Sequence, residues 1–419
     1  MKRLYGLVFG LLLCSTPLAV MANTRHASTH KARGSAHVQE SASVQRHIAH
    51  LQHRSRTATR TRNASVRGTA GQAHLRNASL RMRRRHRSYE RFTGNSFSDD
   101  VSNGDLILGE DPVVRAAAMD ALGNMNGTVV AIDPNSGRIL AMVNQNLALS
   151  SGAEPCSTIK VSVALAALEE GIVNKDTPVN LGGRYHLNLT EALAHSNNLY
   201  FETLGRRLGF ERVRRYANQF GLGELAGYNI SGEQLGIYPD QELPANQGGV
   251  GRMCSFGEGV SMTPLQLGAL VSAIANGGTL YYLQHPTSPQ EVSNFRPRVK
   301  RTLDIARIIP EITDGMQAAV QYGTARSLRA NFNQFPVMGK TGTCSNNGTR
   351  FGWFASYADT QYGRIVTVFF LKGGRPTFGP KAAELTGHFY RNLWDHSYFA
   401  EKAPAIEKPV AAEVVGASQ

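Results

Sequence analysis

The chain has 419 residues, 42% of them hydrophobic, which is enough for one or two domains with buried cores. That excludes a short peptide, a collagen and a wholly disordered tail. The formal charge of +14 invites a nucleic-acid reading, but its placement argues against one: Asn23 to Phe92 holds sixteen Lys/Arg against Glu40 and Glu90, whereas residues 93–419 hold 27 bases and 29 acids and are nearly neutral.

The first segment reads as an export signal over residues 1–22. Lys2 and Arg3 precede the apolar run Leu4 to Cys14; Ser15, Thr16 and Pro17 break it, and Val20-Met21-Ala22 suits a cleavage site. An uncleaved anchor is the rival reading, weakened because Leu4 to Ala22 barely reaches the roughly 20 residues of a span and Pro17 interrupts it. Leu13 before Cys14 argues against a lipoprotein signal. The expected place of work is outside the cytoplasm. Residues 23–97, rich in Arg, His, Ser, Thr and Ala, cannot bury enough apolar surface to offset the entropy of ordering and are expected to be a disordered arm. A solvated linker is the plain reading. Arg clusters also suit phosphates, so the arm is expected to tether the chain to anionic envelope polymers or lipid head groups rather than to nucleic acid.

Residues 98–400 read as one catalytic domain and 401–419 as a disordered tail. Globular patterning starts near Pro112 with an Ala-rich helix over 113–122. Two apolar runs, 127–133 and 138–144, flank Pro134-Asn135-Ser136-Gly137 and predict a β-hairpin. Ser157 to Glu170 is helical by the spacing of Ile159, Val163, Ala166 and Ala167. Helices are predicted over 189–194 and 199–208, on either side of His195-Ser196-Asn197-Asn198, and over 263–275 and 312–321. Strands follow at 337–343, 353–357 and 365–371, then a helix over 381–393. This order predicts an α+β fold, with one antiparallel sheet built from N- and C-terminal strands and a helical subdomain between them.

Three short patterns carry chemistry. Ser157-Thr158-Ile159-Lys160 puts a hydroxyl and an amine on one face at the start of a helix, where a desolvated Lys160 can take the Ser157 proton and free N–H groups can hold an oxyanion. Ser196-Asn197-Asn198 offers a relay hydroxyl and an amide that holds Lys160 or a substrate carbonyl. Lys340-Thr341-Gly342-Thr343, on a predicted strand, offers a cation, two hydroxyls for a carboxylate, a glycine that admits close approach, and the Thr343 N–H. Taken singly, each has an ordinary structural explanation: a chance spacing, a helix cap, a strand end.

In this order the three patterns resemble the active-site serine penicillin-recognising enzymes, the penicillin-binding proteins and serine β-lactamases. Gly127 to Met142, Glu154-Pro155, Gly257-Glu258-Gly259, Met262 to Leu267, Ala275 to Gly278, Gly323-Thr324-Ala325 and Trp353-Phe354 with Tyr357 are similar to a high-molecular-weight, class B-like transpeptidase domain. The resemblance runs from about Pro112 to Trp394. It implies a serine acyltransferase that cross-links peptidoglycan stem peptides ending in D-Ala-D-Ala and binds β-lactams. Ser157 is the implied nucleophile, Lys160 the base and Ser196 the proton relay. Asn198, Lys340, Thr341, Gly342 and Thr343 are the implied substrate-binding residues, with the Ser157 and Thr343 N–H groups as the oxyanion hole. No metal or organic cofactor is implied.

Three departures qualify the match. The interval from Ser157 to Ser196 is short, which implies a trimmed helical lid. The Arg-rich arm stands where the usual pedestal or glycosyltransferase domain would be. Cys156 occupies the family's usual glycine position. Of the mature cysteines Cys156, Cys254 and Cys344, a Cys156–Cys344 bridge across the cleft mouth is conceivable, but three buried thiols are the expectation. Glu242 is a loose candidate for the water-holding glutamate of a β-lactamase, and His195 is expected to be a neighbour of the site rather than a catalyst. A D,D-carboxypeptidase or β-lactamase of the same fold is the alternative enzyme; a catalytically weak envelope-binding scaffold is the alternative from another class.

Overall fold

The computed structural model describes residues 92–400. The expected signal at 1–22, the arm up to residue 91 and the tail at 401–419 lie outside the described residues. The arm's expected end at residue 97 is corrected: residues 92–97 already pack on the domain. Thr93 N donates to Gly348 O, Asn126 N donates to Ser96 O, and the buried Ser96 hydroxyl donates to Arg375 O. This segment has few apolar residues, and backbone pairing fixes it instead.

Helix α1 (Pro112–Leu122) opens on Asp111, whose carboxylate accepts from the Val113 and Val114 N–H groups, and ends at Gly123. Strands β1 (Gly127–Asp133) and β2 (Arg138–Val143) form the expected hairpin, with Asp133 accepting from Asn135 N and Ser136 Oγ in the turn. A short α2 (Gln145–Ala148) and a 3₁₀ turn, Cys156–Ile159, lead into α3 (Lys160–Glu169). The small hairpin β3 (Val179–Asn180) and β4 (His186–Leu187) precedes α4 (Leu189–Ala194), α5 (Asn198–Leu208), α6 (Phe210–Gln219), α7 (Gly249–Phe256) and α8 (Pro264–Ala275). Then come β5 (Thr279–Tyr281), α9 (Pro289–Ser293), β6 (Val299–Thr302) and α10 (Ile309–Gln321). Strands β7 (Val337–Asn346), β8 (Thr349–Thr360) and β9 (Gly363–Gly373), with α11 (Gly379–Asp395), complete the domain.

The main sheet is antiparallel in the order β2-β1-β9-β8-β7, so both ends of the domain meet where β1 pairs with β9, Val129 opposite Phe369. The expected α+β architecture is therefore the observed one. Helices α1 and α11 cover one face, where Val114, Ala118, Val129, Phe369 and Phe389 share a core. Helix α8 and the helical subdomain cover the other, where Val130, Ile132, Leu265 and Val368 meet. With both faces buried, β1 is buried at every residue from Gly127 to Ile132 rather than alternating. Helix α3 runs through the centre of the subdomain, and from Lys160 to Leu168 every residue is buried.

Candidate active site

The three patterns converge on one cleft, where α3, the break between α4 and α5, and β7 meet. Ser157 does not open the α-helix, as the sequence predicts; it sits in the 3₁₀ turn before it, and α3 begins at Lys160. The cause lies one residue earlier. Cys156 has φ +52°, in the left-handed region that favours glycine, which accounts for the glycine usual at this position in the family it resembles.

The turn is fixed against the sheet. Trp353, fully buried and stacked on Phe370, donates its Nε1 proton to Glu154 O at 3.0 Å. Gly342 is needed for close approach, since a Cβ there would stand 2.8 Å from Pro155 O. That approach also corrects the cysteine expectation: Cys156 and Cys344 form a disulfide, their Cα atoms 5.5 Å apart. Cys254 alone remains a free thiol among the described residues, buried where Gly205 leaves room for its sulfur. Burial pushes its pKa up, so it behaves as an inert apolar group.

Lys160 is the hub. Its Nζ lies 3.0 Å from Ser157 Oγ, 3.1 Å from Ser196 Oγ, 2.8 Å from Ser196 O and 2.6 Å from Asn198 Oδ1. Lys340 Nζ reaches the same Ser196 hydroxyl, 2.8 Å from its Oγ, and donates to Thr341 O. Both lysine side chains are fully buried. Burial, and then the neighbouring Lys340 charge, pushes the Lys160 ammonium well below the ordinary lysine range, with Glu202 opposing. Burial lowers Lys340 to about 7. Two cations sharing one hydroxyl in a dry site disfavour double protonation. Neutral Lys160 suits its surroundings, because two N–H groups satisfy the carbonyl oxygens of Ser196 and Asn198 and the lone pair is left for a serine hydroxyl.

On the sheet side, Gly379 N donates to Thr343 Oγ1 at 2.7 Å, leaving the Thr343 hydroxyl proton free for a ligand. Thr341 and Thr324 hydroxyls are 2.7 Å apart, and Thr324 N donates to Ala194 O at 3.0 Å, two residues before Ser196. Thr324 thus ties the relay break to β7. In the sequence Thr324 stands out only within the resemblance, as part of Gly323-Thr324-Ala325, because a lone loop threonine carries no stronger signal. Ser196 itself has φ +54°. His195 points away: its ring is exposed and lies 3.3 Å from the Glu191 carboxylate. Glu242 accepts from Val250 N at the start of α7, a capping position.

Among known families, the model of the penicillin binding protein transpeptidase domain matches residues 127–391. The chain belongs to this family. Of the curated relatives, the stage V sporulation protein D of Bacillus subtilis is 30% identical over 332 residues, covering 67% of this chain and 50% of that protein. The peptidoglycan D,D-transpeptidase MrdA of Acinetobacter baumannii is 24% identical over 375 residues, covering 74% and 54% respectively. The chain thus spans about half the length of these curated relatives. The solved structure of Pseudomonas aeruginosa PBP2 shares the fold, with a TM-score of 0.56, 23% identity, and coverage of 70% of this chain and 75% of that one.

Proposed function

We propose that the chain is a serine D,D-transpeptidase that cross-links peptidoglycan stem peptides outside the cytoplasm of a bacterium and is acylated by β-lactams. The observation that carries the proposal is the Lys160 Nζ standing between Ser157 Oγ at 3.0 Å and Ser196 Oγ at 3.1 Å, in a site buried enough to favour its neutral amine.

Neutral Lys160 takes the Ser157 proton as Oγ adds to the penultimate D-Ala carbonyl. The resulting oxyanion is held by the Ser157 and Thr343 N–H groups, and the donor carboxylate by Lys340, Thr341 and Thr343. As the C–N bond breaks, the proton moves from Lys160 through Ser196 to the departing D-Ala amine, leaving an ester on Ser157. An acceptor amine then adds to the ester, loses its proton back along the same path, and expels Ser157. Asn198 keeps Lys160 in place throughout, and Gly342 admits the substrate backbone beside the strand. Residues 92–400 carry this activity, and residues 23–91 would hold the enzyme to anionic envelope polymers or lipid head groups.

The test is product analysis. A stem peptide ending in D-Ala-D-Ala, incubated with the protein and an amine-bearing stem peptide, is expected to yield free D-Ala and a cross-linked dimer. Free D-Ala with only the shortened monomer makes the enzyme a carboxypeptidase. Rapid turnover of penicillin with no peptide product makes it a β-lactamase, and no product from either leaves the scaffold reading.

A further inference from the structure

Two cavities adjoin at the start of β7 and have no part in the steps above. One, of about 540 Å³, lies between the end of α10 and the loop that enters β7; the other, of about 630 Å³, lies between the β8–β9 turn and the end of α11. They share Gln334, Phe335 and Pro336 and so form one trough. Both volumes fall within the range of about 300–1,000 Å³ usual for ligand sites. Three half-exposed rings stand along the trough, Tyr322 at 43%, Trp394 at 45% and Tyr362 at 38% exposure. Its polar groups are chiefly amides, those of Gln317, Gln321, Asn333, Gln334 and Gln361. Its charges are already engaged: Asp359 accepts from Arg364 on both oxygens, and Arg329 donates to Gln321 O. Exposed rings set among neutral, planar donor–acceptor groups suit a neutral saccharide. The C–H face of a sugar stacks on an aromatic ring, and an amide pairs with its hydroxyl or acetamido groups as donor and acceptor together. The surface is also preformed. Thr360 Oγ1 donates to Gly363 O at 2.6 Å and accepts from Tyr362 N at 3.2 Å, which fixes the turn, and Phe335 packs edge-on against Phe332 and Phe399 behind it.

We propose that this trough binds the glycan strand that carries the acceptor stem peptide. The inference rests on the transpeptidase reading and adds the polymer that positions the acceptor. The side of the site agrees. Thr341 helps to hold the donor carboxylate, and its hydroxyl lies 2.7 Å from that of Thr324, two residues after Tyr322. The D-Ala amine departs with that carboxylate, and the acceptor amine arrives by the same route, because its attack on the ester mirrors the step that formed the ester. The acceptor peptide therefore enters at the Tyr322 end of the trough, and its sugars lie toward Tyr362 and Trp394.

The test separates binding from chemistry. The chain has two tryptophans, Trp353 fully buried and Trp394 half-exposed, so iodide quenching of tryptophan fluorescence reads Trp394. Chitohexaose, a peptide-free strand of N-acetylglucosamine, is expected to shield Trp394 in the full chain. The concentration for half shielding should rise about tenfold in the double variant Tyr362→Ser with Gln361→Ala. In cross-linking assays, an acceptor stem peptide borne on its glycan should have a KM about tenfold below that of the free peptide. That ratio should fall to near one in the double variant, whose rate of acylation by benzylpenicillin stays at the parent value. No shielding by chitohexaose, shielding that survives the double substitution, or equal KM values in the parent overturns the proposal. So does a Trp394 already shielded in the free protein, which would mean that another segment or a second copy fills the trough. The transpeptidase reading fails separately, if the parent protein forms no covalent adduct with benzylpenicillin or no cross-linked dimer.

Discussion

The two walls of the cleft are held in different ways. The nucleophile wall, residues 154–159, is tied to the sheet by the Cys156–Cys344 disulfide, the Trp353 N–H on Glu154 O and the close approach of Gly342 to Pro155. The relay wall around Ser196 has no covalent tie. It is held by the Thr324 N–H on Ala194 O and by the bonds of Lys160 and Lys340 to the Ser196 oxygens. The backbone that carries the Ser157 hydroxyl is therefore fixed by contacts that pH leaves alone, while the Ser196 hydroxyl is held by groups that titrate. Position on one side and proton state on the other can be perturbed separately.

The largest expected separation comes from Lys160→Met, which removes the base and lowers the second-order rate of penicillin acylation by about 10²–10⁴-fold, measured with a fluorescent penicillin, while the disulfide still forms. Breaking the other wall is a stability experiment first. Cys156→Ala with Cys344→Ala opens a closed loop with a sequence separation of 188 and is expected to cost about 2–5 kcal/mol in denaturant unfolding. It should leave the pH dependence of acylation where it was.

The relay wall should answer to pH. In the proposed mechanism acylation needs Lys160 neutral, and its pKa is depressed by burial and by the Lys340 charge, so the rate is expected to rise with pH and level off once the pair holds a single proton. In Lys340→Met one depressing cause is gone, and the rising limb moves to higher pH whatever happens to the maximum rate. Stability follows the same sign. Unfolded lysines titrate near about 10.4, whereas Lys340 in the fold is lowered to about 7. The unfolded state then binds more protons between those values, and unfolding free energy should rise across that window. Lys340→Met should flatten the slope in urea titrations. The smallest effect is expected for Thr324→Val, which keeps the shape but removes the hydroxyl bond to Thr341 and costs about 1 kcal/mol; Thr324→Ser should restore it.

Much of this was legible in the sequence. Ser157 with Lys160, Ser196 with Asn198, and Lys340 to Thr343 each stand on the predicted element or its edge, because the patterns are local and their order is distinctive. What stayed hidden depends on approach between distant segments. Spacing alone does not reveal that Gly342 brings β7 onto Pro155, so the sequence reads as three thiols where the structure has a disulfide. A left-handed Cys156 leaves no trace in composition, and it moved the helix start from Ser157 to Lys160. Helix α7, with Gly249 and Gly251, reads as a loop by propensity; burial of Val250, Met253 and Cys254 makes it a helix. Helix α6 does carry the signal, since Phe210, Val213, Tyr216 and Ala217 recur at helical spacing.

The central claim is that Ser157 forms the ester. It is tested most directly by peptide mapping of the full chain after exposure to benzylpenicillin. One penicilloyl group per chain is expected, on the peptide containing Ser157, persisting for minutes and absent from Ser157→Ala. An adduct on another peptide, one retained in Ser157→Ala, or an unmodified parent chain would contradict it.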